Sequence, residues 1–244
     1  MTVDEKLALL AQRMTALGIT YPPQACEKLF AYQQLLETWN ERMNLTGDAA
    51  FDALLDNHLM DSLAPLKAGG LLKPNAKVID VGTGAGMPGI PLAIVRPDLR
   101  ITLLDSLQKR IGFLQTVIAE LDLANVTAIH ARAEDAAWDT HYRERFDAAA
   151  ARAVAALPVL MELLLPFVAV GGECICWKGP SVAEELEAGM RAAALLGGTT
   201  PRQIPVLTPH MPQQRHCLVV SQKRTPTPGA FPRKAGMPSK NPLG

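Results

Sequence analysis

The residues best suited to chemistry sit in one run, Val78-Ile79-Asp80-Val81-Gly82-Thr83-Gly84-Ala85-Gly86-Met87-Pro88-Gly89. An apolar stretch there meets a series of glycines, so the backbone can turn sharply and lie directly against a ligand. Glycine allows both, because it accepts positive φ and has no Cβ to hold a ligand off. Asp80 stands two residues before Gly82, where its charge repels a pyrophosphate and attracts an ammonium, directly or through water. Three further positions fall where a parallel sheet would open toward the same place. Asp105 lies 23 positions after Gly82, Ala133-Glu134 follows a later apolar run, and Arg152 follows the next.

A nicotinamide dinucleotide would call for Gly-x-Gly-x-x-Gly directly after the strand, with the pyrophosphate on the backbone amides. The spacing here is Gly82-x-Gly84-x-Gly86, and the literal dinucleotide pattern, Gly84-x-Gly86-x-x-Gly89, starts later. With Asp80 alongside, the expected ligand carries an ammonium and a sulfonium but no phosphate. That describes S-adenosylmethionine, held by Asp80, Gly82, Gly84 and Gly86. Asp105 is expected to accept from both ribose hydroxyls, its plainer reading being an N-cap for the helix that follows. Ala133 and Glu134 suit an adenine edge, and Arg152 opens on the crevice. His58 and Asp61, on one side of a helix, either cover this cleft or pack one helix on another. A tight strand-to-helix turn without ligand is the bland alternative for the glycines. An NAD oxidoreductase is a rival enzyme reading.

These side chains need a scaffold that brings distant segments together. Strands are predicted at 77–81, 100–104, 126–130, 146–151, 173–177 and 216–222, with a weaker one at 203–207 crowded by Pro201, Pro205 and Pro209. Helices are predicted between them at 90–95, 108–121, 157–168 and 182–196. This alternation implies a parallel sheet covered on both faces. The expected fold is α/β, a Rossmann-like class I methyltransferase with a mostly parallel sheet of about seven strands and an N-terminal helical cap. The cap, residues 1–72, carries helical spacing at 3–17 and 23–39, as in Leu29, Tyr32, Leu35, Leu36 and Trp39. A third helix opens at Asp48 or Asp52 and runs through Leu63. Residues 73–223 form the cofactor-binding domain, and 224–244 a tail that is no independent domain.

A hydrophobic content of 48% supports a sizeable core. The longest apolar region, 148–172, is broken by Arg152, Pro158, Glu162 and Pro166, so no membrane span is expected. The N-terminus lacks the basic start and apolar centre of a signal peptide, which makes a cytoplasmic protein the default. Cys26, Cys174, Cys176 and Cys217 lack zinc-ligand spacing, so free thiols and no metal are expected. Net charge is zero but unevenly spread. From Arg224 onward there are Arg233, Lys234 and Lys240 with no acidic residue, among five prolines and three glycines. Such an end suits contact with nucleic acid.

Acceptor chemistry leaves marks of its own. Amino-group methylation of a base commonly uses an Asn/Asp-Pro-Pro-aromatic turn after the fourth strand, where this chain reads Ala150-Ala151-Arg152-Ala153. Carbon-5 methylation of cytosine needs a cysteine nucleophile beside the base, yet Cys174 and Cys176 fall within a predicted strand. Guanine N7 offers an in-plane lone pair and loses no proton, so a site without a general base is compatible with it. A small-molecule acceptor stays open, as does a binding module without turnover.

A set of motifs in fixed order resembles the RsmG/GidB family of bacterial small-subunit ribosomal RNA guanine-N7 methyltransferases. It comprises Trp39-Asn40 with Asn44-Leu45-Thr46, His58-Leu59-Met60-Asp61-Ser62, and the run from Asp80 to Pro91. Leu103-Leu104-Asp105-Ser106-Leu107 with Lys109-Arg110 follows, then Ala133-Glu134, Arg152-Ala153 and Lys178-Gly179. Pro232-Arg233-Lys234 and Gly236-Met237-Pro238-Ser239-Lys240 complete it. The resemblance implies methyl transfer to N7 of one guanine in the decoding-region loop of 16S rRNA, in a 30S subunit or an assembly intermediate, by a protein expected to act as a monomer. It implies cofactor contacts at Gly82, Met87, Ala133, Glu134 and Arg152. Lys109, Arg110, Arg233, Lys234 and Lys240 are the candidate phosphate contacts. Ala85 and Met87 depart from the residues common in the family. Residues 136–145, with Trp138, His141 and Tyr142, read as a variable insertion without an assigned role.

Overall fold

Short apolar runs separated by helices fold as parallel strands, because both faces of each strand then need cover. The computed structural model describes residues 1–206 and 216–244. Its strands are β1 (Lys77–Val81), β2 (Arg100–Asp105), β3 (Val126–His130), β4 (Phe146–Arg152), β5 (Val168–Lys178), β6 (Arg202–Pro205) and β7 (Cys217–Gln222). They form one sheet in the order β3-β2-β1-β4-β5-β7-β6. The first five are parallel to one another, and β7 runs antiparallel to both β5 and β6. The chain steps outward from β1 to β3 and then returns to lay β4 on the other side of β1. That reversal opens a crevice at the carboxyl ends of β1 and β4, where ligands bind in open α/β sheets.

Alternation along the strands sorts the core into two layers. Val78, Ala148, Ala150, Ile175 and Trp177 face one layer with residues of α1 (Val3–Ala16), α2 (Ala25–Asn40), α5 (Gly89–Val95) and α6 (Gln108–Glu120). Ile79, Val81, Ala149, Ala151, Cys174 and Cys176 face the other, with α7 (Ala133–Ala136), α8 (Leu157–Leu164) and α9 (Leu186–Leu195). The N-terminal helices share one continuous core with the sheet. A capping box starts α1, in which Thr2 accepts from Glu5 N–H and the Glu5 carboxylate accepts from Thr2 N–H.

The third predicted helix is only partly an α-helix. It opens as α3 (Phe51–Leu54) and widens into a π-helical turn over Leu55–Met60 before α4 (Ala64–Lys67). Such turns are frequent at functional sites. The predicted helix over 157–168 stops early. Pro166 falls in a 3-10 turn at Leu165–Phe167, and β5 then starts at Val168, five residues before the predicted start. Its register against β4 shifts between Phe146 and Ala148. At Gly172 an added Cβ would lie 2.5 Å from Asp147 O, so the close approach of the two backbones there needs glycine. Of the predicted strand at 203–207, Leu207 lies outside the described residues.

After β7 the chain packs back onto the domain and ends in a single turn, α10 (Met237–Lys240). No helix among the described residues is long and apolar enough to cross a membrane. Among those residues, no group of three or more His, Cys, Asp or Glu side chains is arranged to hold a metal ion. Cys174 and Cys176 are buried, with sulfurs 3.7 Å apart.

Candidate active site

β1 carries Asp80 into the crevice, where it is 1% exposed. Its Oδ2 accepts from Thr83 Oγ1 at 2.6 Å and Gly89 N–H at 2.8 Å, which closes the glycine loop onto the start of α5. Its Oδ1 is buried without a hydrogen-bond partner among the described residues. Burial pushes the Asp80 carboxyl up to about 6, although bonds from Thr83 and Gly89 and the charge of Arg152 pull the other way. A buried carboxylate with one oxygen unpaired is missing a donor, and a cationic donor most of all.

The glycines serve different ends. Gly82, Gly84 and Gly86 all hold positive φ, at +68°, +60° and +97°. A Cβ at Gly86 would lie 2.6 Å from Ile90 and 2.8 Å from Leu114, and one at Gly89 would lie 2.3 Å from Leu103. Those two permit packing. At Gly84 the nearest atom to an added Cβ is Gly82 O at 4.0 Å, so this stretch of backbone is open on its outer side. The cap steadies the loop from behind, since the buried Tyr32 hydroxyl of α2 donates to Ala85 O at 2.7 Å.

Asp105 ends β2 and is 3% exposed. Its Oδ2 accepts from Gly84 N–H at 2.9 Å and Arg110 Nη1 at 3.2 Å, and its Oδ1 accepts from Leu107 N–H at 2.9 Å. The carboxylate therefore ties the glycine loop to the turn before α6, and Oδ1 keeps one lone pair. Glu134, in the single turn α7, is 8% exposed. Its Oε1 accepts from Gly236 N–H at 2.7 Å, so it also holds the C-terminal segment.

Arg152, at the end of β4, is the hub on the other side of the loop. Nη1 donates to His58 O at 3.2 Å and Asp61 Oδ2 at 3.1 Å. Nη2 reaches His58 Nδ1 at 3.0 Å and Met87 Sδ at 3.4 Å. Burial first, and then Arg152, lowers the His58 pKa, which keeps the imidazole neutral and able to accept. The π-helical turn sets His58 and Asp61 to face this arginine, and both side chains also line the recess beside it. Sequence reasoning missed two partners. Trp177 Nε1 donates to Asp61 O at 3.0 Å, and His216 Nδ1 lies 3.4 Å from Asp61 Oδ1. The signal was positional, since Trp177 lies near the carboxyl end of β5 and His216 just before β7. Together with Lys178 and Arg152 they border a recess of about 210 Å³.

The basic candidates separate into two groups. Lys109, Lys234 and Lys240 are exposed. Arg110 turns inward to Asp105, and Arg233 is committed to Glu162, at 2.6 Å through Nη2. Glu162 is fully buried and needs that partner, so the Arg233 guanidinium differs from the free surface charge expected of it.

A sheet of this order, with an acidic residue before a Gly-x-Gly-x-Gly loop at the switch point, defines the Rossmann-like class I methyltransferases. The fibrillarin pre-rRNA processing protein of Methanococcus jannaschii shares the fold, with a TM-score of 0.50 and 18% identity over 66% of this chain and 73% of that one. Residues 25–217 match the family described as rRNA small subunit methyltransferase G, or GidB. Proteins named Ribosomal RNA small subunit methyltransferase G from Alkaliphilus oremlandii and Clostridium beijerinckii are 45% and 43% identical to it over 235 residues, 96% of this chain and 98% of each of theirs. The chain belongs to this family of methyltransferases.

Proposed function

We propose that this protein transfers a methyl group from S-adenosylmethionine to N7 of one guanine in the decoding-region loop of bacterial 16S rRNA, on the small ribosomal subunit or an assembly intermediate in the cytoplasm. The observation that carries the cofactor is Asp80 Oδ1, buried and unpaired at the mouth of an open glycine loop. A ligand ammonium, directly or through one water, supplies the donor and the charge that this oxygen lacks. Asp105 Oδ1 would accept from a ribose hydroxyl, and Ala133 and Glu134 would border the adenine. Gly84 lets the ligand lie on the backbone, beside Met87 and Arg152, while Gly82 and Gly86 turn the loop around it at positive φ. S-adenosylmethionine bound there supplies a methyl group on a cationic sulfur.

The protein's part in such a displacement is to align donor and acceptor and to exclude water. The recess beside Arg152 is about 210 Å³, below the ~300–1,000 Å³ of common ligand pockets, a size that suits a single base swung out of its stack. Guanine N7 gives up no proton, so no general base is required. Asp61 has its backbone and side-chain oxygens bonded to Trp177 and Arg152, which fits a role in positioning. Exposed Lys109, Lys234 and Lys240 would meet phosphates.

The test is transfer of labelled methyl to 30S subunits from cells lacking this protein, with the modified base mapped. Label at one guanine N7 is expected. Absence of label on subunits and on naked 16S rRNA, with cofactor bound, would move the acceptor to a small molecule.

A further inference from the structure

The segment after β7 is fastened to the domain at successive points. Lys223 is fully buried, and its Nζ donates to Leu165 O at 2.6 Å and pairs with Glu144 at 3.1 Å. Arg143 donates to Thr227 O at 3.1 Å and Phe231 O at 2.9 Å, with its guanidinium over the Trp138 ring. Trp138 Nε1 donates to Pro232 O at 3.1 Å. Arg233 grips Glu162 with its backbone N–H at 2.8 Å and its guanidinium at 2.6–3.2 Å. Gly236 N–H then reaches Glu134 Oε1. Residues 136–145, the insertion without a role, thus supply three of the anchors, Trp138, Arg143 and Glu144.

Release of this strap would leave Glu162 as an unpaired buried charge, so docking is strongly favoured. Its last bond falls on the site itself. Glu134 belongs to a one-turn helix without a side-chain cap, too short to fix a carboxylate unaided. We propose that Trp138, Arg143, Glu162 and Arg233 are positioning residues for the cofactor, acting through the strap over residues 227–240 and its bond to Glu134. This inference rests on the reading of Ala133 and Glu134 as the adenine side of an S-adenosylmethionine site. Coupling of this kind is reciprocal, so a bound cofactor also tightens the strap. Lys234 and Lys240 ride on the strap with their side chains exposed.

The experiment measures S-adenosylmethionine affinity by calorimetry on the full chain and on Arg233→Ala, Trp138→Phe and Arg96→Ala. The last removes an ion pair with Asp98 beyond the C-terminal end of α5, away from the site, and controls for general destabilisation. Arg233→Ala is expected to weaken binding about tenfold, within the ~5–150-fold range of site-to-site coupling. Trp138→Phe should weaken it less, and Arg96→Ala not at all. Hydrogen exchange on the unmutated protein needs no variant to fold. Cofactor should slow exchange of amides in 227–240, including Gly236. Unchanged affinity in a folded Arg233→Ala protein, or unchanged strap exchange at saturating cofactor, overturns the inference and leaves the site reading standing. If the unmutated protein fails to bind S-adenosylmethionine, the site reading falls and the inference with it.

Discussion

Asp80 uses its two oxygens for two purposes, one to close the glycine loop and one left for a ligand. Its carboxyl sits at about 6, above the ordinary value of 3.8. Between those two pH values the folded protein holds a proton that the unfolded chain has lost, so the ligand-free protein loses stability as pH rises through this window. A cationic ligand favours the ionised form and must displace that proton at lower pH. Cofactor affinity is therefore expected to fall as pH drops below about 6, approaching a factor of about ten per unit. Asp80→Asn should bind weakly at every pH and show no such slope in calorimetric titrations. Arg152 poses the opposite case, a cation whose loss strands buried Asp61. Arg152→Ala is expected to cost about 3–5 kcal/mol in denaturant unfolding. Arg152→Lys, which keeps charge but loses the planar fork, should retain more stability yet still lower kcat/KM for methyl transfer by at least about tenfold.

At the scale of elements, the glycine loop is a packed object on one side and an open one on the other. Gly86→Ala combines a φ of +97° with contacts inside 3 Å to Ile90 and Leu114, and is expected to destabilise by about 2–4 kcal/mol. Gly84→Ala meets no such neighbours and carries only the backbone cost of about 1–2 kcal/mol. Its larger effect should appear in cofactor affinity, because the added methyl faces the open side. Thermal unfolding and cofactor titration of the two variants separate these effects, and equal losses of affinity per unit of stability would count against an open binding face. α2 supports the same loop through Tyr32. Tyr32→Phe leaves Ala85 O buried without its donor, a change of about 1–3 kcal/mol.

For the whole molecule, zero net charge conceals a local arrangement in which some cations are internal and others external. Arg233, Arg110 and Lys223 balance carboxylates within the fold, whereas Lys109, Lys234 and Lys240 face solvent. RNA affinity should fall with salt, and each exposed lysine changed to alanine should reduce the slope of log K against log salt by about one. Arg233→Ala should act differently, since its cost lies in strap docking rather than in a lost phosphate contact. Filter binding across a salt series distinguishes the two, and a slope unchanged in the triple lysine variant would remove these residues from the RNA surface.

What the sequence by itself determined is what depends on neighbours along the chain. The strand leading to Asp80 and the glycines that turn after it are backbone demands met within a dozen residues, and the alternation of strands and helices repeats along the chain, so residue type reports them directly. The end of β2 at Asp105 and of β4 at Arg152 followed from the same periodicity, within one residue. Partners of long side chains were decided by the tertiary structure alone. Arg152 meets His58 and Asp61, more than ninety positions away, and Asp61 in turn meets His216, 155 positions on. Glu134 meets Gly236, and Glu162 meets Arg233, only because the chain after β7 returns across the domain. A buried charge must find a partner, but the requirement does not say which one. That choice belongs to the path of the chain in space.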